Sequence, residues 1–542
     1  MALAASFDPA APPRLASFSW PQQFLLFAAL FAGLLVLHAP LLRLPYFWDE
    51  AGYYVPAARD LYLTGSLIPS SVPSNAHPPL VMAYLALAWR VAGFSLFVTH
   101  AAMLAWAAFS LLGLFRLSSA AANLQVAWTT TALVAIYPVF FMQSSLALVD
   151  LPAAGLTFWG LLAYLEDRPW KQVFWFSLAA LAKETAVLAP LALFAWQVIF
   201  PAIARHRPEV SPPQPRRTRW YHLVLSTIPL ACWFAWHRLR TGFVFGNPDF
   251  FRYNVVATLD VLRFPFAMGF RIWQLIGYLG LYLLTLAGVF SLFFAPEIED
   301  GRPRPGIALW KQSALAVVLL AYLTFMSAVG GAALARYLLP VVPLVVLFWV
   351  STLWRRARYW KLIVAAVAMA FLAALFINPP YGFSLEDNLA YRDYITLHVE
   401  ASRFLVMHYP DARVLTAWPA SDELTRPWLG YVSRPFPVLR IEDFTAGQIA
   451  LASPLRSQFD LALVFSTKYE PPHPLLENCA FCRQIKERFF GYHRDLRPQQ
   501  IAERLGGKVV YQQQQDGQWI ALISFQEDKE NASLPAQPLL PQ

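Results

Sequence analysis

Asp49 and Glu50 are adjacent carboxylates in YFWDEAGYYVPAARD (46–60), a stretch crowded with aromatics that follows a long apolar run. A carboxylate on such an apolar shelf suits a general base that removes a proton from a hydroxyl or amine. It equally suits an N-cap for the helical pattern AGYYVPAARDLYLTG, since Asp is a preferred capping residue. Asp150 interrupts SSLALVDLPAAG between two apolar runs. An ionisable group there marks a functional position, and with Pro152 just after it a helix start is the competing reading. Lys183 and Glu184 break SLAALAKETAVLAP. They form an ion pair holding a bend, or the lysine binds a phosphate. Arg336 and Tyr337 open the run ARYLLPVVP, where an arginine either snorkels to lipid headgroups or binds the phosphate of one lipid. His77 precedes Pro78 and Pro79 in SNAHPPL.

Other chemistries find no support. The apolar part has no HExxH, HxxxH or paired-histidine spacing, so no metal site is predicted. No Walker A, GxGxxG or GxSxG pattern occurs, which argues against a nucleotide-driven engine. There are 3 cysteines. Cys232 lies in an apolar run and reads as a packed core residue. Cys479 and Cys482 in ENCAFCRQ have no second pair to complete a zinc site, and outside the cytoplasm they are expected to form a local disulfide.

The elements that must position these residues are membrane helices. The chain has 542 residues, of which 58% are hydrophobic, 15% aromatic and 14% charged. A soluble protein of this size cannot hide so much apolar surface. The net charge of +9 sits in short basic clusters between apolar runs, which is how membrane topology is written, and does not point to nucleic acid. Eleven spans are predicted, over 22–44, 96–117, 124–143, 149–165, 172–186, 187–204, 221–238, 272–294, 309–329, 337–353 and 361–377. The first is read as a retained span following a cytoplasmic tail, 1–21, because no basic n-region or cleavage pattern accompanies it. The clusters at 205–220 (five arginines), 355–361, 302–311 and 166–171 are assigned to the cytoplasm by the positive-inside rule. Keeping 166–171 and 205–220 on one side requires a break near Lys183. Residues 79–94 are short, begin with Pro-Pro and contain Arg90, and read as an interfacial helix. Residues 45–95, the turn at Asp150, Lys183-Glu184 and the turn 330–336 then share the outer face. The membrane domain is placed at 22–378, with its first outer loop at 45–95. A small extracytoplasmic α/β domain follows at 379–528, with strands expected in 412–419 and 459–465 and a hairpin over 507–525 about a QDG turn. Residues 529–542 read as a disordered tail.

In this order, the motifs resemble those of the GT-C membrane glycosyltransferases, in particular the protein O-mannosyltransferase-like group that includes the lipid A aminoarabinose transferases. FWDEAGYYVPAARDLYLTGSLIP is similar to the family's first outer loop, NAHPPLVMAYLALAWRVAGFS to its second interfacial helix, and LALVDLPAAGLTFW to its second aspartate motif. LAALAKETAVLAP, NPDFF and ARYLLPVVP resemble the lysine-bearing, later-loop and late-span motifs. No one motif is specific. Their order over nearly the whole chain is.

The resemblance implies a polyprenyl-phosphate sugar as donor and a lipid, glycan or protein as acceptor, at the outer face of a bacterial inner membrane. It implies Asp49 as catalytic carboxylate, with Glu50 and Asp150 shaping the site. Lys183, Arg336, Tyr337 and His77 would face the donor phosphate, and Tyr53 and Glu184 would position substrate. Transfer would be a single inverting displacement. Two departures stand out. His77 replaces the lysine of the aminoarabinose transferases, which argues against that activity, and Glu184 replaces a common glycine beside Lys183. A transporter or flippase is the competing class, but it calls for inverted repeats and midplane charges. A membrane-anchored binding protein would leave the outer-face charges without a role.

Overall fold

A computed structural model describes residues 19–204, 216–471 and 479–525. Most of the expected N-terminal tail, residues 205–215 of the basic cluster and the tail 529–542 lie outside the described residues. The chain forms two compact units. One comprises Met1–Leu44, Tyr53–Pro379 and Phe383–Ala390, and the other Pro45–Gly52, Pro380–Gly382 and Tyr391–Gln542.

The first unit is helical, and each of the eleven predicted stretches carries a helix or a broken pair of helices. Among the described residues, four helical stretches are long and apolar enough to cross a membrane: Trp20–Leu37, Leu96–Ala121, Arg263–Ser291, which is broken at Leu279, and Leu309–Ala328. Local chemistry sets their ends. Ser95 Oγ accepts from the Val98 N–H at 3.2 Å and starts Leu96–Ala121, and Asn123 Oδ1 accepts from the Val126 N–H at 3.0 Å to start Leu124–Ile136. Pro138 lacks an N–H and divides that second run into Leu124–Ile136 and Pro138–Gln143. The expected break at Lys183 is present. Lys183 is extended (φ −151°), ending Pro169–Ala182, and a 3-10 turn Glu184–Val187 leads into Leu188–Ala204. Residues 79–94 hold the helix Leu80–Ala92.

The helix Asp150–Leu165 packs tightly by way of glycine. A Cβ at Gly155 would lie 1.9 Å from Ser110 Oγ, and one at Gly160 would lie 2.4 Å from the Phe176 ring. Small residues let backbones approach, which is how helices associate where lipid removes the hydrophobic drive. Cys232 departs from expectation. It is exposed on Ile228–Thr241, because an apolar residue of a membrane helix can face lipid as well as the core.

The second unit is an α/β sheet. Two short strands of the helical unit, β1 (Ile298–Glu299) and β2 (Arg302–Pro303), form a separate hairpin. The sheet itself contains β3 (Val414–Ala417), β4 (Val438–Ile441), β5 (Leu461–Phe465), β6 (Lys508–Gln515) and β7 (Gln518–Ser524), in the order β4-β3-β5-β7-β6. The β3 pairings are parallel, and β5, β7 and β6 are antiparallel. The hairpin turns at Asp516-Gly517, both at positive φ (48° and 81°), as the QDG signal predicts. Strand β4 was not expected. Its four residues, VLRI, lie at a sheet edge, with Val438 and Leu439 half-buried, Arg440 exposed and Ile441 buried, and carry no clear alternation. Cys479 and Cys482 form the expected local disulfide at the start of Ala480–Phe490. A linear division at residue 379 does not describe the units. Residues 45–52 fold with the sheet, and 383–390 fold with the helices, where the Leu389 N–H donates to Leu375 O at 3.0 Å.

Candidate functional site

Within the helical unit, Asp150, Lys183, Arg336 and Tyr337 converge. Asp150 is the first residue of its helix, but the cap position belongs to Val149 and no side chain caps there. Its carboxylate is instead spent on two cations. Lys183 Nζ is 2.5 Å from Oδ1 and Arg336 Nε is 3.4 Å from Oδ2, and all three side chains are at most 9% exposed. Lys183 therefore pairs across the unit with Asp150 rather than with its neighbour Glu184. Arg336 also donates to Glu386 Oε2 at 2.6 Å. The Tyr337 ring is the hub: Lys183 Nζ lies 4.1 Å from its centroid, and the guanidinium carbons of Arg336 and Arg271 each lie 5.6 Å away. A ring face attracts cations, so one tyrosine draws three together.

Arg271 was not singled out from the sequence. It is 1% exposed. Its Nε donates to Met326 O at 3.2 Å, and Nη1 donates to Gln274 Oε1 at 2.8 Å and Leu334 O at 2.6 Å. Nη2 is buried with no hydrogen-bond partner, and among the described residues no carboxylate pairs with this guanidinium. With Arg263 donating to Gly330 O at 2.7 Å and Gln274 to Ala333 O at 2.8 Å, the helix Arg263–Ile276 straps down the turn that delivers Arg336-Tyr337. The available signal was spacing: Arg263 and Arg271 stand eight apart in an apolar helix, which puts them near one face.

Glu386 and Asp387 were also missed. They form a carboxylate pair in SLED, just past the last apolar run, as Asp49-Glu50 follows the first. Asp387 is fully buried, accepts from the Tyr278 hydroxyl at 2.6 Å, and is pushed up to about 7 by burial, against the lowering effects of that bond and of Arg336.

A second cluster adjoins the first through the Lys183-Glu184 peptide. His77 Nδ1 is 3.1 Å from Glu184 Oε2, so the other ring nitrogen is left to face the Tyr54 hydroxyl at 3.5 Å. The Tyr53 and Phe250 rings stand edge-on to His77 at 5.4 and 5.5 Å. Burial pushes the Tyr53 hydroxyl up to about 12, so it stays protonated, and it accepts from the Asn75 N–H at 3.3 Å. The backbone before His77 is pinned. Trp233 Nε1 donates to Ala76 O at 2.9 Å, His237 Nε2 lies 2.8 Å from Ser74 Oγ, and Ala76 is held at φ 54°. A non-glycine residue in that region is uncommon and clusters at functional sites.

Asp49 and Glu50 belong to the other unit. A helical turn with π geometry, Glu50–Tyr54, precedes the helix Val55–Thr64. Asp49 is half-buried and Glu50 is 1% exposed. Trp48, immediately before them, has φ 53°. Among the described residues no group of three or more His, Cys, Asp or Glu stands where it could hold a metal ion.

No family model and no curated protein matches the chain. Solved structures do. ArnT from Cupriavidus metallidurans bound to undecaprenyl phosphate is similar at a TM-score of 0.50 and 12% identity, covering 93% of this chain and 98% of that one. The apo state of the same protein is similar at 0.50 and 13%, covering 92% and 97%. The oligosaccharyltransferase of Archaeoglobus fulgidus reaches a TM-score of 0.43 at 12% identity over 82% of this chain and 67% of that one. With a helical unit of apolar helices and near-complete mutual coverage against ArnT, the fold of this chain is that of the GT-C membrane glycosyltransferases.

Proposed function

We propose that this protein transfers a sugar from a polyprenyl-phosphate donor to a hydroxyl or amine of a lipid, glycan or protein acceptor. Transfer takes place at the outer face of a bacterial inner membrane that the helical unit crosses eleven times. The observation that carries the reading is the charge balance around Tyr337. Lys183, Arg336 and Arg271 face one ring, while Asp150 and Glu386 are the carboxylates paired with them. Beside these paired cations, the buried guanidinium of Arg271 has a donor left over, which suits an anion. A polyprenyl phosphate is such an anion, and undecaprenyl phosphate is the ligand in the ArnT structure.

In the proposed reaction, Asp49 accepts the proton of the acceptor group, whose oxygen or nitrogen attacks the anomeric carbon. That bond forms as the bond from the anomeric carbon to the phosphate oxygen breaks, and the electron pair leaves with the lipid phosphate. Single displacement inverts the anomeric configuration. Phosphate is already a good leaving group, so cationic stabilisation by Lys183, Arg336 and Arg271 replaces the general acid of a glycosidase. His77 and Glu184, held together at 3.1 Å, with Tyr53, contact the sugar or acceptor.

The test is release of free polyprenyl phosphate, followed by mass spectrometry, from a panel of polyprenyl-phosphate sugars. Protein in nanodiscs is supplied with membrane lipid extract as acceptor source. One donor is expected to react, and Asp49→Asn should slow it by about 10²–10⁴-fold, the usual worth of a positioned base. A fully active Asp49→Asn sinks the base assignment. No release from any donor refutes the transferase reading and turns attention to lipid translocation.

A further inference from the structure

We propose that the C-terminal α/β unit is the mount of the loop carrying Asp49, with Tyr391 and Trp418 as its positioning residues. The proposal rests on Asp49 acting as the base. Residues 45–52 are packed as part of that unit rather than of the helices to which they are joined in sequence.

The fastening is dense and surrounds Asp49 on both sides. The Tyr46 N–H donates to Leu429 O at 3.1 Å. The Phe47 ring, 1% exposed, meets Tyr391, Tyr394 and His398 edge-on at 5.6, 5.4 and 5.2 Å. Spacings of three and seven place those three residues on one face of the helix Ala390–His408, so a single stripe receives Phe47. His398 is itself locked, with Nδ1 2.8 Å from Glu423 Oε2 and both side chains fully buried. The Tyr391 hydroxyl lies 3.0 Å from Phe47 O and 3.2 Å from Glu50 Oε2. Its one hydrogen is shared between two acceptors that bracket Trp48-Asp49. On the other side, the Trp48 ring lies 4.9 Å from the Trp418 ring. A Cβ at Gly52 would lie 3.0 Å from Trp418, so the loop passes against that ring where only glycine fits easily.

Residues 46, 47, 48, 50 and 52 are therefore each held by the unit that begins some 340 residues later in the chain. Trp48 is kept in a left-handed conformation that a free tryptophan avoids. Such a conformation persists only where its surroundings over-determine it, and here the surroundings are Trp418, Tyr391 and Leu429. A general base must sit within hydrogen-bond reach of its proton, so a loosened loop loses turnover before it loses donor binding.

The test compares full-length wild type with Tyr391→Phe, Trp418→Ala and Trp418→Phe in nanodiscs. Three readouts are taken: hydrogen exchange of the peptide covering 45–52, donor turnover, and binding of polyprenyl phosphate. Tyr391→Phe and Trp418→Ala are expected to speed exchange of 45–52 about tenfold, with other amides of the unit unchanged. They should cut kcat about tenfold and leave donor KM and polyprenyl phosphate binding within about twofold. Trp418→Phe, which keeps an aromatic ring against Trp48, should restore most of the turnover. Faster exchange with unchanged kcat overturns the proposal, as does unchanged exchange of 45–52 in both variants. Unchanged amides elsewhere in the unit exclude misfolding as the cause. Full activity of Asp49→Asn removes the base assignment instead, and the exchange readout then still decides whether the unit holds the loop.

Discussion

Asp150→Asn removes one negative charge from a nearly closed set of buried charges, and its effect can be worked from geometry. Asp150 stands 2.5 Å from Lys183 and 3.4 Å from Arg336, with side chains 3%, 9% and 2% exposed. At an effective dielectric of about 20, these contacts attract by about 7 and about 5 kcal/mol. Desolvation offsets most of that, and deleting one partner of a buried pair costs about 3–5 kcal/mol because the other charge is left behind. Two cations are left behind here, beside Arg271 and around one ring. The variant should unfold about 3–5 kcal/mol more easily in mixed-micelle denaturation. Adding polyprenyl phosphate should stabilise it more than wild type, because the bound anion replaces the lost charge. Asp150→Asn combined with Lys183→Met should recover about 1–3 kcal/mol of the sum of the single losses, since a charge and its partner leave together. A single variant within about 0.5 kcal/mol of wild type, or strict additivity in the double variant, refutes the buried-charge account.

Arg271→Met should weaken polyprenyl phosphate binding at least about tenfold, as the loss of a charge-assisted donor worth about 1.5–3 kcal/mol implies. Arg271→Lys should recover part of that affinity, and unchanged affinity in a folded Arg271→Met protein removes Arg271 from the phosphate site. Asp387 gives the molecule a pH dependence. Because burial raises its carboxyl from 3.8 to about 7, the unfolded state binds fewer protons between those values, so stability falls as pH rises from about 4 to about 7. At 1.36 kcal/mol per pH unit, the full loss is about 4 kcal/mol. Asp387→Asn lacks this loss, so its stability relative to wild type should improve from pH 5 to pH 8, and a difference that stays flat over that range refutes the assignment.

Much of the fold could be read from local chemistry. An apolar run of sufficient length forms a helix because its backbone must bond internally. Ser95, Asn123, Pro138 and Asp516-Gly517 start, break or turn the chain by their own stereochemistry, and Lys183 ends a helix where orientation of the basic clusters required a break. Strand β4 was not legible, because four edge residues without alternating burial carry no period that distinguishes a strand from a loop. Of the candidate site residues, Asp150, Lys183, Arg336 and Tyr337 meet in one cluster, and His77, Glu184 and Tyr53 meet in another. Asp49 and Glu50 belong to the other unit.

Most of the helices, the strands β3, β5, β6 and β7, and the gathering of ionisable groups at the ends of apolar runs follow from local sequence. Those properties depend on neighbours within a turn or two. The pairings, by contrast, come from packing in three dimensions. Lys183 takes Asp150, 33 residues away, and not the adjacent Glu184, because the helix that Asp150 begins packs through Gly160 against Phe176 of the helix that Lys183 ends. Arg271 joins Tyr337, and Glu386 joins Arg336, because helices strap distant turns together. Tyr391 reaches Glu50 across 341 residues. Contacts of that range leave no period and no spacing in the chain, so they become legible only when burial has brought charge and counter-charge to the same place.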